Sequence, residues 1–141
     1  MQRVLLEIVG TQRVDNQSEK LELTVVGTIE ENESAYIINY KEEQEPPISP
    51  VDVCVTINKN EKSVEMTRTG PFSSCLIIER SKRNLCHYGT EYGDILMGIY
   101  GKKIDINYNG DIGSFEFSYD IDINGALISS NKLEIKISKV G

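Results

Sequence analysis

"SFEFSYDIDI", residues 114–123, places Phe115, Phe117, Tyr119, Ile121 and Ile123 on one side of an extended chain and Glu116, Ser118, Asp120 and Asp122 on the other. Alternation this strict has a period of two, the period of a strand with one buried face. The aromatic and β-branched residues on the apolar side suit a pleated surface. "NG" at 124–125 follows, a pair that tolerates positive φ and so suits a hairpin. Beyond it, "NKLEIKIS" (131–138) turns Leu133, Ile135 and Ile137 the same way.

The same period recurs outward from this hairpin. Val4, Leu6 and Ile8 share a face, as do Leu21, Leu23 and Val25. Tyr36, Ile38, Tyr40 and Glu42 follow, then Val51, Val53, Val55 and Ile57, then Val64, Met66 and Arg68. "SCLIIER" (74–80), "LCHYGT" (85–90) and a run from Ile95 to Tyr108, expected to bend at Gly101, complete the set. "NKNEK" (58–62) and "NG" (109–110) supply further turns. "EPPISP" (45–50) reads as a rigid extended loop, because its prolines lack N–H donors for a ladder. Gly70 and Pro71 are expected to end the strand that carries Arg68.

Helical periodicity is nearly absent. The chain is therefore expected to be all-β, with 8–10 antiparallel strands, each apolar on one face. Such strands must close on themselves or pack against a second sheet. A closed or nearly closed up-and-down barrel meets that demand and removes exposed edges. A two-sheet sandwich with Greek-key crossings is the alternative, and the short sequential connections favour the meander.

At 141 residues the chain has the length of one domain, spanning 1–141. Net charge is −7, with acids clustered in "EENES" (30–34) and "KEEQE" (41–45). That balance repels phosphate backbones and anionic lipid, so neither nucleic acid nor a membrane is expected as a partner. The densest basic cluster, "ERSKR" (79–83), reads as a solvated turn. No run of 18 apolar residues occurs, and "MQRVLLEIVGTQRV" reads as a first strand rather than a signal peptide. Cys54, Cys75 and Cys86 are odd in number and lack C-x-x-C spacing, which fits reduced thiols and a cytoplasmic location. Cys54 shares a polar face with Asp52 and Thr56 and should be the most reactive of the three.

Few residues here suit catalysis. His87 is the one histidine, and its neighbour Cys86 points to the opposite face of a strand. The acids of "DIDIN" (120–124) alternate outward and lack the glycine and final glutamate of a calcium loop. No metal or cofactor is expected. What remains is polar residues on inward faces: Tyr36, Tyr40 and Glu42 on one strand, Arg68 on another, Tyr88 and Thr90 on a third. In a closed sheet these groups can converge near one end. They form either a structural Arg68–Glu42 ion pair completed by Tyr40 or Tyr88, or the polar lining of a ligand pocket.

"YKE" (40–42), "RTG" (68–70), "YGTEYG" (88–93) and "FSYDI" (117–121) stand in the order and spacing of the YwiB-like family, and nearly the whole chain resembles it. These are uncharacterised bacterial proteins described as calycin-like β-barrels. The resemblance implies a lipocalin-like barrel and, by analogy of fold, a small apolar or amphipathic ligand. Two departures fall at the barrel mouth. Glu91 stands where the family often has proline, and "PFSSCLIIE" (71–79) stands where it tends to carry methionine and phenylalanine. The lipocalin G-x-W signature is missing, since the chain has no tryptophan.

Three functional readings result. The first is a non-enzymatic binding module holding a small apolar or carboxylate-bearing ligand inside the barrel, with Tyr36, Tyr40, Glu42, Arg68, Tyr88 and Thr90 as its polar contacts. The second is a barrel filled by Tyr36, Tyr40, Met66 and Phe117 that works through its surface, as monomer or homodimer. An enzyme using Arg68, Glu42, Tyr88 and His87 ranks last.

Overall fold

The computed structural model describes residues 1–43, 49–70 and 73–140. Its ten strands are β1 (Gln2–Val14), β2 (Gln17–Glu31), β3 (Ala35–Glu42), β4 (Val51–Asn58), β5 (Ser63–Thr69), β6 (Ser74–Glu79), β7 (Arg83–Thr90), β8 (Gly93–Tyr108), β9 (Gly113–Ile123) and β10 (Ala126–Lys139). Each pairs antiparallel with its neighbours in sequence, and β1 pairs with β10 to close the barrel. The up-and-down expectation holds, and the sandwich alternative falls. Residues 45–48 of "EPPISP", and the strand-ending role given to Pro71, lie outside the described residues. Among the described residues no helix is long and apolar enough to cross a membrane.

Alternation sets which side chains face in. Val4, Leu6, Ile38, Val53, Val55, Ile57, Val64, Ile78, Ile99, Phe115, Phe117, Ile135 and Ile137 form one contiguous core. The turns obey their local chemistry. Asn124 and Gly125 carry φ of 54° and 85°, the paired positive values of a tight hairpin. The expected bend at Gly101 is a bulge between Gly101 and Lys103, which shifts the β8–β9 register.

The barrel wall is uneven. β1 and β2 pair from Gln2↔Ile29 to Val14↔Gln17, whereas β2 and β3 pair only from Thr28↔Asn39 to Glu31↔Tyr36. The two part at Gly27, whose added Cβ would stand 2.5 Å from the Asn39 carbonyl and 2.6 Å from Leu6 Cδ1. Only glycine allows so close an approach. A second thin seam joins β6 to β7, bridged at Ser74↔Tyr88. There the buried Cys86 thiol accepts the Ile77 N–H at 3.4 Å, standing in for a ladder carbonyl.

All three cysteines are free, with Cys54 and Cys75 half-buried on the outer face and Cys86 buried. Burial, then the Glu65 carboxylate, pushes the Cys75 thiol pKa up. The "ERSKR" turn is largely neutralised locally: Lys82 meets Glu79 at 3.8 Å, and Arg83 meets Asp122 at 2.8 Å. The Arg83 guanidinium holds the Asp122 carboxyl below its ordinary range.

Candidate functional site

Along β9 the inward residues run from one end of the barrel to the other. Phe115 and Phe117 are fully buried, and Tyr119 and Ile121 beyond them line a cavity. Strand direction places the connections 32–34, 59–62, 80–82 and 109–112 at the first end. It places the 15–16, 91–92 and 124–125 turns at the other.

The first end is sealed by aromatic packing. Tyr36 meets Tyr108 edge-to-face at 5.5 Å between centroids, and both lie 5.4 Å from Phe115. Lys59 sits 5.1 Å over the Tyr36 ring while bonding Glu31 at 2.6 Å. Glu61 reaches across from the β4–β5 turn to accept the Ile106 N–H at 3.0 Å, satisfying a donor of β8 that β7 does not reach.

The second end holds a cavity of about 500 Å³. Its walls are mostly apolar, formed by Ile8, Leu23, Met66, Leu76, Met97 and Leu133 among others. Its polar groups are Tyr40, Glu42, Arg68, Tyr88 and Tyr119, with Glu22 and Glu43 at the opening. Because β2 and β3 have parted, the cavity reaches Leu21, Glu22 and Leu23 on one side of the gap and Tyr40, Glu42 and Glu43 on the other.

Arg68 faces inward and grips Glu42 as a fork: Nη1 donates to Oε1 at 2.8 Å and Nη2 to Oε2 at 2.5 Å. The bond to Glu42 is the main reason the Arg68 pKa is raised, ahead of the opposing effect of burial. The side chains remain 32% and 23% exposed, so the pair lies in the cavity wall and not in the sealed core. Burial, reinforced by Glu42, pushes the Tyr40 pKa up to about 12. Burial raises Tyr119 as well. The expected bond from Tyr40 or Tyr88 to the pair does not form among the described residues. Tyr40, Tyr88 and Tyr119 line the cavity beside the pair.

The six residues expected to converge divide into two groups. Tyr40, Glu42, Arg68 and Tyr88 come together. Tyr36 does not: it shares the inward face of β3 but sits at the sealed end, in contact with Tyr108 and Phe115. Thr90 does not either. Its hydroxyl donates to the Gly93 carbonyl at 2.7 Å and accepts the Tyr92 N–H at 3.1 Å, which fixes the tip of the β7–β8 hairpin. His87 is exposed on the outer face, away from the cavity, so the enzyme reading loses its one imidazole. The reading of a barrel filled by Tyr36, Tyr40, Met66 and Phe117 meets the same division, for Tyr40 and Met66 line open space. Among the described residues no three His, Cys, Asp or Glu side chains gather as a metal site. Tyr119 and Met97 also line the cavity, though the sequence offered neither as a site residue. A lone hydroxyl between Phe117 and Ile121 on an otherwise apolar face was the available signal for the first.

The chain is thus a closed ten-stranded antiparallel up-and-down barrel with one packed end and one open end. Comparison with known families matches residues 6–135 to the family described as "Domain of unknown function (DUF1934)", and the chain belongs to that family. Among solved structures, the ywiB protein from Bacillus subtilis is similar with a TM-score of 0.85 at 15% identity, over 99% of this chain and 93% of that one. That likeness is one of fold. No curated protein matches the chain.

Proposed function

We propose that the protein is a binding module that holds a small apolar or amphipathic molecule in the open end of the barrel. The observation that carries this reading is the cavity of about 500 Å³, within the usual size of small-ligand sites, with apolar walls and a few polar groups on one side. An apolar body would lie against Ile8, Leu23, Met66, Met97 and Leu133, and a polar end would meet Tyr40, Glu42, Arg68, Tyr88 and Tyr119. The two methionines suit a pocket that adapts its shape, because unbranched thioethers repack at low cost.

Native mass spectrometry of protein purified from cells, paired with titration of a fluorescent naphthylamine probe, tests the reading. The expected result is a bound species that leaves on denaturation, or a saturable probe site that Gly10→Phe abolishes. Gly10 faces the cavity, and a Cβ there would meet only Leu133 Cδ1, at 3.8 Å, so the larger ring has room to enter. A bare polypeptide mass together with no probe binding would overturn the proposal.

A further inference from the structure

The polar groups of the cavity are unequal in what they can offer a ligand. Arg68 is the one cation lining it among the described residues, and its two terminal nitrogens already grip both oxygens of Glu42. An arriving carboxylate would have to displace Glu42 or approach the guanidinium with that negative charge beside it. Glu22 and Glu43 also line the opening, and of these Glu22 is accompanied by Lys20 at 3.1 Å. The lining therefore carries more negative than positive charge, on a chain whose net charge is −7. Tyr40, Tyr88 and Tyr119 line the same space. What faces the ligand is thus three carboxylates, Glu22, Glu42 and Glu43, against one guanidinium that is already engaged, with tyrosine rings beside them.

We infer that the cavity selects an amphiphile with a cationic ammonium head over one with a carboxylate head. This inference rests on the binding-module reading above. An alkylammonium carries a positive charge, three donors and no acceptor, which complements a wall whose carboxylates outnumber its one cation. A cation over a tyrosine face gains further attraction where water is excluded. The apolar chain takes the same walls whichever head it bears, so the head alone sets the preference.

Three probes of equal chain length separate the head from the chain: decylammonium and decanoate, titrated below their micelle concentrations, and decanol, titrated below its solubility limit, all at neutral pH. Decylammonium is expected to bind at least tenfold more tightly than decanoate, with decanol between them. Glu42→Gln frees the Arg68 fork and is expected to cut that preference severalfold by tightening decanoate. Glu43→Gln, at an exposed position, should weaken decylammonium alone and serves if Glu42→Gln folds poorly. Gly10→Phe should abolish all three, with Leu23→Trp as a second block. Equal binding of the two charged probes, or tighter binding of decanoate, would overturn the head-group inference while decanol binding upheld the cavity. Decylammonium binding that survives both blocks would mark attraction to the acidic surface and overturn it too. Failure of decanol and decylammonium alike would sink the binding-module reading itself.

Discussion

The two ends of this barrel are built from the same strands and the same alternation, yet one is solid and the other hollow. At the sealed end the inward rings of Tyr36, Tyr108 and Phe115 meet one another across the lumen. β2 and β3 are paired there, and Glu61 completes the backbone hydrogen bonding of β8. At the open end β2 and β3 have separated beyond Gly27, and Arg68 finds its partner beside it, leaving the middle empty. The difference teaches where the free energy of this fold resides. Packed rings stabilise the sealed end, while the side chains of the open end border empty space and pack less against one another.

The largest expected effect follows from the packing contrast. Phe115→Ala removes a fully buried ring from the sealed end and should cost about 3–5 kcal/mol in denaturant unfolding. Leu133→Ala, on the cavity wall, removes atoms that already border open space and should cost only about 1 kcal/mol. Comparable losses at the two positions would mean the lumen is filled along its whole length.

The ion pair comes next. A fully buried pair would lose about 3–5 kcal/mol when one partner is removed. Arg68 and Glu42 are a quarter to a third exposed, so water can reach whichever charge is left. Arg68→Met and Glu42→Gln should each cost about 1–2 kcal/mol, the range for charge-assisted hydrogen bonds discounted for screening. The double variant should recover part of the sum. Strict additivity in the four-variant cycle would show that the fork contributes nothing to stability.

A smaller effect lies in the alkaline limb. Tyr40 keeps its proton to about 12 in the folded chain, against 10.0 for an ordinary phenol. The folded pKa is the higher one, so the stability linked to this proton is complete below pH 10 and is lost as pH rises through 12. Phenolate absorbance during base titration should show late-titrating phenols, and Tyr40→Phe should remove one of them and flatten the fall in stability over that window. An unchanged late step would place Tyr40 in contact with solvent.

Alternation made the ten strands legible, because period two reports which face a residue occupies. The tight "NG" turn at 124–125 and the bulge at Gly101 were legible for local reasons, positive φ and a break in phase. Depth along the barrel axis was not. Tyr36 and Glu42 share a face of β3, but a strand of eight residues runs from the aromatic seal to the cavity, and only the stagger between strands fixes the height of each residue. Thr90 misled for a related reason: alternation continues to the hairpin tip, past the point where the wall encloses anything. The Arg68–Glu42 pairing could be read because a guanidinium cannot shed its charge, and Glu42 was the acid continuing an apolar face nearby. The hollow itself could not be read, since a list of inward residues does not say whether they touch.

Carbon-13 methyl labelling of methionine gives the most direct test of an open, ligand-accepting end. The chain has three methionines: Met66 and Met97 line the cavity, and Met1 is 85% exposed. On titration with decanol, the account predicts that the Met66 and Met97 methyl resonances shift together and saturate at one site, while Met1 stays fixed, and that Gly10→Phe abolishes both shifts. Resonances that do not move, or a shift confined to Met1, would contradict it.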